Sequence, residues 1–518
     1  MFKESKIKQR LKKLEQHLKQ ENPILSEVVQ NFRDLDRISH KLGFLQREES
    51  HATRTPWWPL ISILGVYSAG KSTFINKFLQ YDLQDVGIQA VDDKFSVICF
   101  TRDKKERVLP GLALDADPRF PLYKISKAIE EVAVGKGEHI DAYLQLKTCP
   151  SQKLRGKILI DSPGFDADAQ RTSTLRITDH IINLSDLVLV FFDARHPETG
   201  SMRDTLEHLV KTTVNRRDSN KFLYILNQID VTANEDSLEE VFAAWQRALA
   251  QYGLTAGSSY AIYHKGSAIA FDSDDVRVRY EGKRDADSRA ISRRIEQVGV
   301  ERAYRIVGML EQTAQMLKQD VVTRLQQFIE RWRRKVLWLE GTILAGLVAA
   351  FLALTIWGGY WNGLSLNLPF WDLVTGNSYV KYGALAVLIA GAGYVHFSIR
   401  RWAARKVQKK LLAEIEDSEL LANYKQALHK SSRWWRSLFL PNPAGWGRLA
   451  ADRLEQVVED SNAYIQKLND EYTNPSGKDK TELSIEEQAV ENSNRHDLGR
   501  IESENTLRTD SGPVRRKD

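Results

Sequence analysis

The octapeptide Gly65-Val66-Tyr67-Ser68-Ala69-Gly70-Lys71-Ser72 holds the residues best suited to chemistry in this chain. Its spacing, GxxxxGK[ST], is that of a loop that wraps the phosphates of a nucleotide. Gly65 and Gly70 let the backbone curl, so that N–H groups of Tyr67, Ser68, Ala69, Gly70, Lys71, Ser72 and Thr73 can point inward at phosphate oxygens. The Lys71 ammonium would reach the β- and γ-phosphates, and the Ser72 hydroxyl would hold Mg²⁺. The apolar run Leu60-Ile61-Ser62-Ile63-Leu64 comes just before. A buried strand therefore feeds the loop, and the helix that follows turns its positive end toward the anion. The alternative, a chance glycine-rich turn, has no need of that strand.

Other strand ends supply the rest of a nucleotide site. Lys157-Ile158-Leu159-Ile160 reads as a short apolar strand that runs into Asp161-Ser162-Pro163-Gly164. A carboxylate at Asp161 can hold Mg²⁺ through water, and the Gly164 N–H can sense the γ-phosphate. Alone, D-x-P-G is as readily an ordinary turn. Residues 222–226 form another apolar strand, ending in Asn227-Gln228-Ile229-Asp230. A carboxylate at Asp230 can accept both N1–H and N2–H of guanine, a pattern adenine does not offer, so Asn227 with Asp230 is the expected base-reading pair. Residues 260–264 lead into Gly266-Ser267-Ala268, which puts Ser267 in a weaker base-contacting loop. In this order, each behind its strand, the motifs predict an α/β P-loop G domain over residues 51–275. Its sheet would be mostly parallel with helices on both faces, and it would bind GTP or ATP with Mg²⁺.

This region resembles the dynamin superfamily, most closely the Eps15-homology-domain ATPases and sarcalumenin. The residues that carry the resemblance begin with Gly65-x-Tyr67-Ser68-x-Gly70-Lys71-Ser72-Thr73-Phe74-Ile75 and Asp93-x-Phe95. Pro110-Gly111-x-Ala113-Leu114-x-x-Asp117-Pro118-x-x-Pro121 is similar to an insertion peculiar to that branch. Asp161-x-Pro163-Gly164, Phe192-Asp193-Ala194 and Leu226-Asn227-x-x-Asp230 complete it, over roughly residues 57–270. The resemblance implies nucleotide-driven assembly on membranes, with slow hydrolysis stimulated when G domains pair. It implies that Ser68 helps stabilise the transferring phosphate, which with Lys71 and Gly164 makes the expected catalytic set. Tyr67 stands where many dynamins have a water-positioning Gln, as it does in the Eps15-homology branch.

Two departures bear on chemistry. The threonines expected before Asp93-x-Phe95 read Val91-Asp92. Val91 can neither contact Mg²⁺ nor orient water, so hydrolysis is either slow or served by another loop residue, such as Thr101, Asp166, Gln170 or Arg171. Gln228 replaces the usual Lys, whose stem packs on the base. Asp230 favours GTP, yet the Eps15-homology branch keeps a similar motif and prefers adenine, so ATP stays open.

A second signal lies far downstream. Residues 337–361 and 382–399 are apolar and long enough to cross a bilayer, which takes about 20 helical residues. Trp338, Trp357, Tyr360, Trp361, Tyr379, Tyr382 and Trp402 sit near the expected interfaces, as belt residues do. Arg331, Arg333, Arg334 and Lys335 precede the first span, and Arg400, Arg401, Arg405, Lys406, Lys409 and Lys410 follow the second. The linking loop carries only Asp372 and Lys381. That asymmetry predicts an integral two-span hairpin at 337–400, with both termini and the G domain cytoplasmic. A hairpin entering one leaflet, or one buried in a soluble core, are the alternatives. His396 reads as interfacial.

Long amphipathic helices fill the remainder. Ala303, Val307, Leu310, Ala314, Leu317, Val321, Leu325, Phe328 and Trp332 form one apolar stripe at three- and four-residue steps. Similar stripes occur before and after Pro23 and beyond residue 401. They predict an α-helical stalk bundle made from residues 1–50, 285–336 and 401–471, unless they are unrelated helices that bind partners. The Trp434-Trp435 segment reads as an interfacial loop or, preferred, a turn packed into the bundle. Residues 472–518 are polar and expected to be disordered.

Composition agrees. A net charge of +6 suits an anionic membrane surface better than nucleic acid. Cys99 and Cys149 both fall in the G domain, so no disulfide framework is expected. The expectation is a membrane-bound dynamin-like GTPase, a homodimer or homo-oligomer through G domains and stalk, that tethers, remodels or fuses membranes. The hairpin resembles that of bacterial dynamin-like proteins, which implies a bacterial inner membrane. A membrane-tethered regulatory switch and a non-hydrolysing nucleotide-dependent scaffold are the alternatives.

Overall fold

The computed structural model describes residues 6–85, 94–103, 105–116, 120, 122, 125–132, 140–164, 171–195, 219–251, 253–254, 257–362, 365–366, 378–413, 415 and 418–473. Strands β1 (Leu60–Gly65), β2 (Phe95–Phe100), β3 (Arg107–Pro110), β4 (Leu144–Cys149), β5 (Ile158–Asp161), β6 (Leu187–Asp193), β7 (Phe222–Asn227) and β8 (Ser258–Ala261) form one sheet. Their order is β3-β4-β2-β5-β1-β6-β7-β8. Neighbours are parallel except β2 against β5 and β3 against β4. Strand periodicity sends alternate residues to opposite cores. Val188, Val190 and Phe192 pack with Leu64, Trp245 and Tyr280 on one face, and Leu189 and Phe191 pack with Ile63, Ile75 and Ile291 on the other.

The register decides where chemistry can occur. Ile63 lies beside Asp161, Gly65 beside Phe191, and Asp193 beside Asn227. The carboxyl ends of β1, β5, β6 and β7 therefore finish along one edge, the edge at which open α/β sheets bind ligands.

Helices α1 (Lys6–Glu21) and α2 (Pro23–Leu42) are separated at Asn22, whose side chain accepts from the Leu25 N–H and starts α2. Helices α3 (Lys71–Leu79), α4 (Arg171–Leu184) and α5 (Leu238–Gln251) cover the sheet. Helix α6 (Asp274–Trp357) runs for 84 residues, roughly 126 Å at the α-helical rise. Its first part supplies Ile291, Ile295 and Val298 to the sheet's core. Its middle buries every residue of the stripe from Ala303 to Trp332, through a π-helical stretch at Met316–Val322.

That stripe is covered by α2, by helices α7 (Ser378–Leu412) and α8 (Ser418–Ser431), and by residues 448–464 of α9 (Arg448–Thr473). Asn31 donates to Asp460 at 3.0 Å, Phe44 meets Tyr424 edge-on, Lys318 pairs with Glu455, and Trp332 Nε1 donates to the Arg400 carbonyl. Widely separated stretches of sequence thus close one long helical bundle.

Beyond the bundle, α6 and α7 expose their apolar side chains. Leu344, Leu347, Phe351 and Ile356 on α6, and Val387, Leu388, Ile389 and Tyr394 on α7, all lie open. Both helices are long and apolar enough to cross a membrane. The first apolar helix ends at Trp357, short of residue 361, because Gly358-Gly359 turns the chain, Gly359 at φ +70°. Trp361–Asn362 then pairs with Ser365–Leu366 as a short ribbon. His396 Nδ1 lies 2.6 Å from a Glu340 oxygen across the two helices. In the Trp434-Trp435 segment both rings are exposed instead of packed into the bundle, although the turn's backbone is anchored to it by Arg400.

Candidate nucleotide site

The loop after β1 is shaped by close backbone approach. Gly65 has φ +155°, and a Cβ there would lie 2.6 Å from the Phe191 carbonyl oxygen. Ser68 takes a left-handed φ of 59°, and Gly70 has φ +82° with room for a Cβ only 2.2 Å from Asn227 Nδ2. That amide donates to the Ala69 carbonyl at 2.9 Å, and Gln228 Nε2 donates to the Ser68 carbonyl at 2.7 Å. The loop is therefore buttressed from β7. Lys71 Nζ donates to the carbonyls of Gly65 and Val66 at 2.9 and 3.1 Å, which holds the ammonium inside the curl. Helix α3 starts at Gly70 with no side chain capping it. The N–H groups of its first turn thus face the loop, as an anion site requires.

Asp161 stands at the end of β5, one strand away. Ser162 N donates to the Ile63 carbonyl at 3.0 Å, which ties this turn to β1. Gly164 approaches the loop so closely that a Cβ would meet Tyr67 Cα at 3.3 Å. The Asp161 carboxylate accepts from Gln84 Nε2 at 2.5 Å, and Gln84 Oε1 accepts from Lys147 Nζ at 2.6 Å. Asn76 of α3 fixes that loop, its Oδ1 accepting from the N–H groups of Leu83 and Gln84. The Ser162 hydroxyl is buried with no hydrogen-bond partner in the described structure. Hard oxygen donors beside an uncapped helix start suit Mg²⁺ and phosphate, so Ser72 and Asp161 would hold the ion. When bound, it would neutralise charge on the phosphates.

Asp230 lies in the turn Ile229–Thr232 that follows β7. Its Oδ2 accepts from the Ile269 N–H at 3.1 Å. Burial pushes its carboxyl upward, and the Ile269 N–H and nearby Arg195 pull against that shift. Arg195 itself forms a fork on Asp193, with Nε and Nη2 at 2.9 and 2.6 Å from Oδ2. Ser267 is exposed on a turn whose N–H donates to the His264 carbonyl at 3.1 Å.

The structure thus brings together Gly65, Tyr67, Ser68, Ala69, Gly70, Lys71, Ser72, Thr73, Asp161, Gly164, Asn227 and Asp230 along one edge. Thr101 is a correction. β2 runs antiparallel to β5, pairing Ser96 with Asp161 and Cys99 with Ile158, so Thr101 lies at the far edge. Val91, Asp92, Asp93, Asp166 and Gln170 fall outside the described residues, as does the Arg171 side chain. Asn76, Gln84 and Lys147 were missed. Lys147 belongs to no motif in the sequence, and the fold buries it.

A mostly parallel apolar sheet with a glycine loop and a metal-type carboxylate at its carboxyl edge defines a P-loop G domain. Residues 61–229 match the Dynamin family, which makes this segment a dynamin-type G domain. EH domain-containing protein 3 of Homo sapiens is 27% identical over 180 residues, 33% of this chain and 31% of that protein. EH domain-containing protein 1 of Bos taurus is 28% identical over 180 residues, with the same coverage. The chain thus spans about a third of the length of these curated relatives. A chain from an oligomerised bacterial dynamin pair aligns over 97% of this chain and 80% of its own, at 14% identity and a TM-score of 0.29, too low to carry an argument.

Proposed function

We propose that this protein is a membrane-inserted, dynamin-like nucleoside triphosphatase that couples nucleotide turnover to tethering or remodelling of lipid. One observation carries the reading. Helix α6 contributes Ile291, Ile295 and Val298 to the core of the nucleotide domain and ends as an exposed apolar segment. A change at the loop edge of the sheet thus has a continuous element through which to reach the membrane. The nucleotide domain, 51–275, would sit on the cytoplasmic side, with the hairpin spanning at 337–400 and basic flanks on the same side.

In the site, Lys71 and the first-turn N–H groups of α3 hold phosphate, Ser72 and Asp161 orient the metal, and Ser68 and Gly164 face the transferring group. Asp230 and Ser267 contact the base, with GTP favoured because a buried carboxylate can accept two guanine hydrogens. Asn227 serves by holding the loop, its amide on the Ala69 carbonyl. Pairing of G domains between copies supplies assembly.

The test is GTP and ATP turnover by full-length protein in liposomes across protein concentration, with Lys71→Ala as the blank. Turnover per molecule that rises with concentration for one nucleotide supports an assembling mechanoenzyme. Flat or absent turnover with nucleotide still bound refutes it in favour of a switch or scaffold.

A further inference from the structure

Residues 433–440 carry a patch that the nucleotide chemistry does not use. Trp434, Trp435, Phe439 and Leu440 are 60%, 62%, 76% and 52% exposed, while Leu438 among them is buried and holds the loop down. Water-facing apolar area of this kind is unfavourable unless a partner covers it.

The loop is fixed in place. The Trp434 ring stands edge-on to Phe397 of α7 with centroids 5.8 Å apart, and Trp435 stands edge-on to Trp434 at 5.6 Å. Arg400 Nη2 donates to the Arg436 carbonyl at 2.5 Å and the Arg433 carbonyl at 3.4 Å, while its guanidinium lies over the Trp332 ring. These contacts set the loop at the level where the exposed apolar surface of α7 gives way to Arg400, Arg401, Arg405 and Lys406. The aromatic patch therefore continues the apolar surface of the two helices rather than forming a separate face.

Charge supplies the second observation. A cavity of about 360 Å³ is lined by His40, Arg47, His429, Lys430 and Arg433. The Arg433 guanidinium also lies 5.0 Å over the Trp435 ring, so cavity and patch share a residue. Tryptophan interleaved with arginine is suited to the headgroup layer, where rings meet acyl chains and cations meet phosphate.

We propose that residues 433–440 form an interfacial loop that lies in the headgroup layer of the bilayer entered by α6 and α7, with the cationic cavity selecting anionic lipid. The inference rests on the membrane reading of those helices. It adds an element that lies on the bilayer instead of crossing it.

Full-length Phe439→Cys and Leu347→Cys, each labelled with an environment-sensitive fluorophore, test this; native Cys99 and Cys149 are buried. Each is reconstituted in phosphatidylcholine vesicles with and without about a third phosphatidylglycerol. Acrylamide quenching of the Phe439 label should fall at least about threefold relative to detergent, and further with the anionic lipid. Spin labels at the headgroup should quench it more than spin labels at the chain end, the reverse of the Leu347 label. A Phe439 label open to acrylamide beside a protected Leu347 label overturns the loop and leaves the hairpin standing. Two open labels overturn the membrane reading itself. Equal protection in both lipids removes the cavity's role. Protection in detergent that grows with protein concentration gives the patch to a second copy and overturns the proposal.

Discussion

Gly70 shows how a single missing methyl group shapes the site. Its φ of +82° and the 2.2 Å gap to Asn227 Nδ2 leave no room for a side chain. Gly70→Ala should weaken nucleotide binding at least tenfold, about 1.4 kcal/mol. In an Asn227→Ala background the same change should cost less, since the clash is gone and only the backbone strain remains; calorimetric titration of the four proteins checks this. Asp230 gives a pH test. Burial raises its carboxyl, and only the ionised form can accept both guanine hydrogens, since protonation turns one oxygen into a donor. Guanine nucleotide affinity should therefore fall on mild acidification at a higher pH than an ordinary carboxylate would produce. Asp230→Asn should bind more weakly and show a flatter profile in the same titration.

At the scale of elements, the junction between α2 and β1 carries two buried groups of opposite pH dependence. Asp36 accepts from the Ser50 hydroxyl and, at 2.6 Å, from the His51 N–H; burial still raises its carboxyl to about 6. His51, packed against Ser39, is lowered to about 4 by burial, aided by the charges of Arg54 and His40. A raised carboxyl stabilises the fold at low pH and loses that contribution as pH rises from 3.8 through about 6. A lowered imidazole does the reverse, losing stability as pH falls from 6.5 through about 4. Between those limits the slopes oppose at about 1.4 kcal/mol per pH unit each. Wild-type thermal stability should therefore show little net contribution from this junction. Asp36→Asn should expose the histidine alone, so that its Tm relative to wild type rises with pH across this window.

At the scale of the molecule, the coupling proposed above would pass where α6 leaves the sheet. Arg302 is buried there, its Nη1 at 3.1 Å from Asp186 Oδ1 and its Nε donating to the Pro56 carbonyl at 2.7 Å. Asp186 also accepts from the Leu60 N–H at the start of β1, the strand that carries the phosphate loop. Arg302→Ala leaves a buried carboxylate, a change that typically costs about 3–5 kcal/mol; Arg305, 2.7 Å from the same oxygen, should hold the loss to the lower end. Nucleotide affinity should survive while stimulation of turnover by liposomes is lost, as paired binding and turnover assays would show.

The loop Gly65 to Ser72, the strand ends at Asp161 and Asn227, the stripe of α6 and the apolar helices were legible in sequence because each is a local pattern. Turn chemistry, strand alternation and helical spacing act within a few residues, so spacing alone encodes them. Strand direction is not local. β2 reads as any apolar strand, and only its antiparallel place beside β5 moves Thr101 away from the site. The chain Lys147–Gln84–Asp161 joins three separate segments, and Asn227 supports a loop 158 residues earlier. Such contacts follow from strand order and helix packing, which the whole chain settles together. The exposure of Trp434 and Trp435 is of the same kind: the sequence provided the residues, and packing of Phe397 and Arg400 decided which way they face.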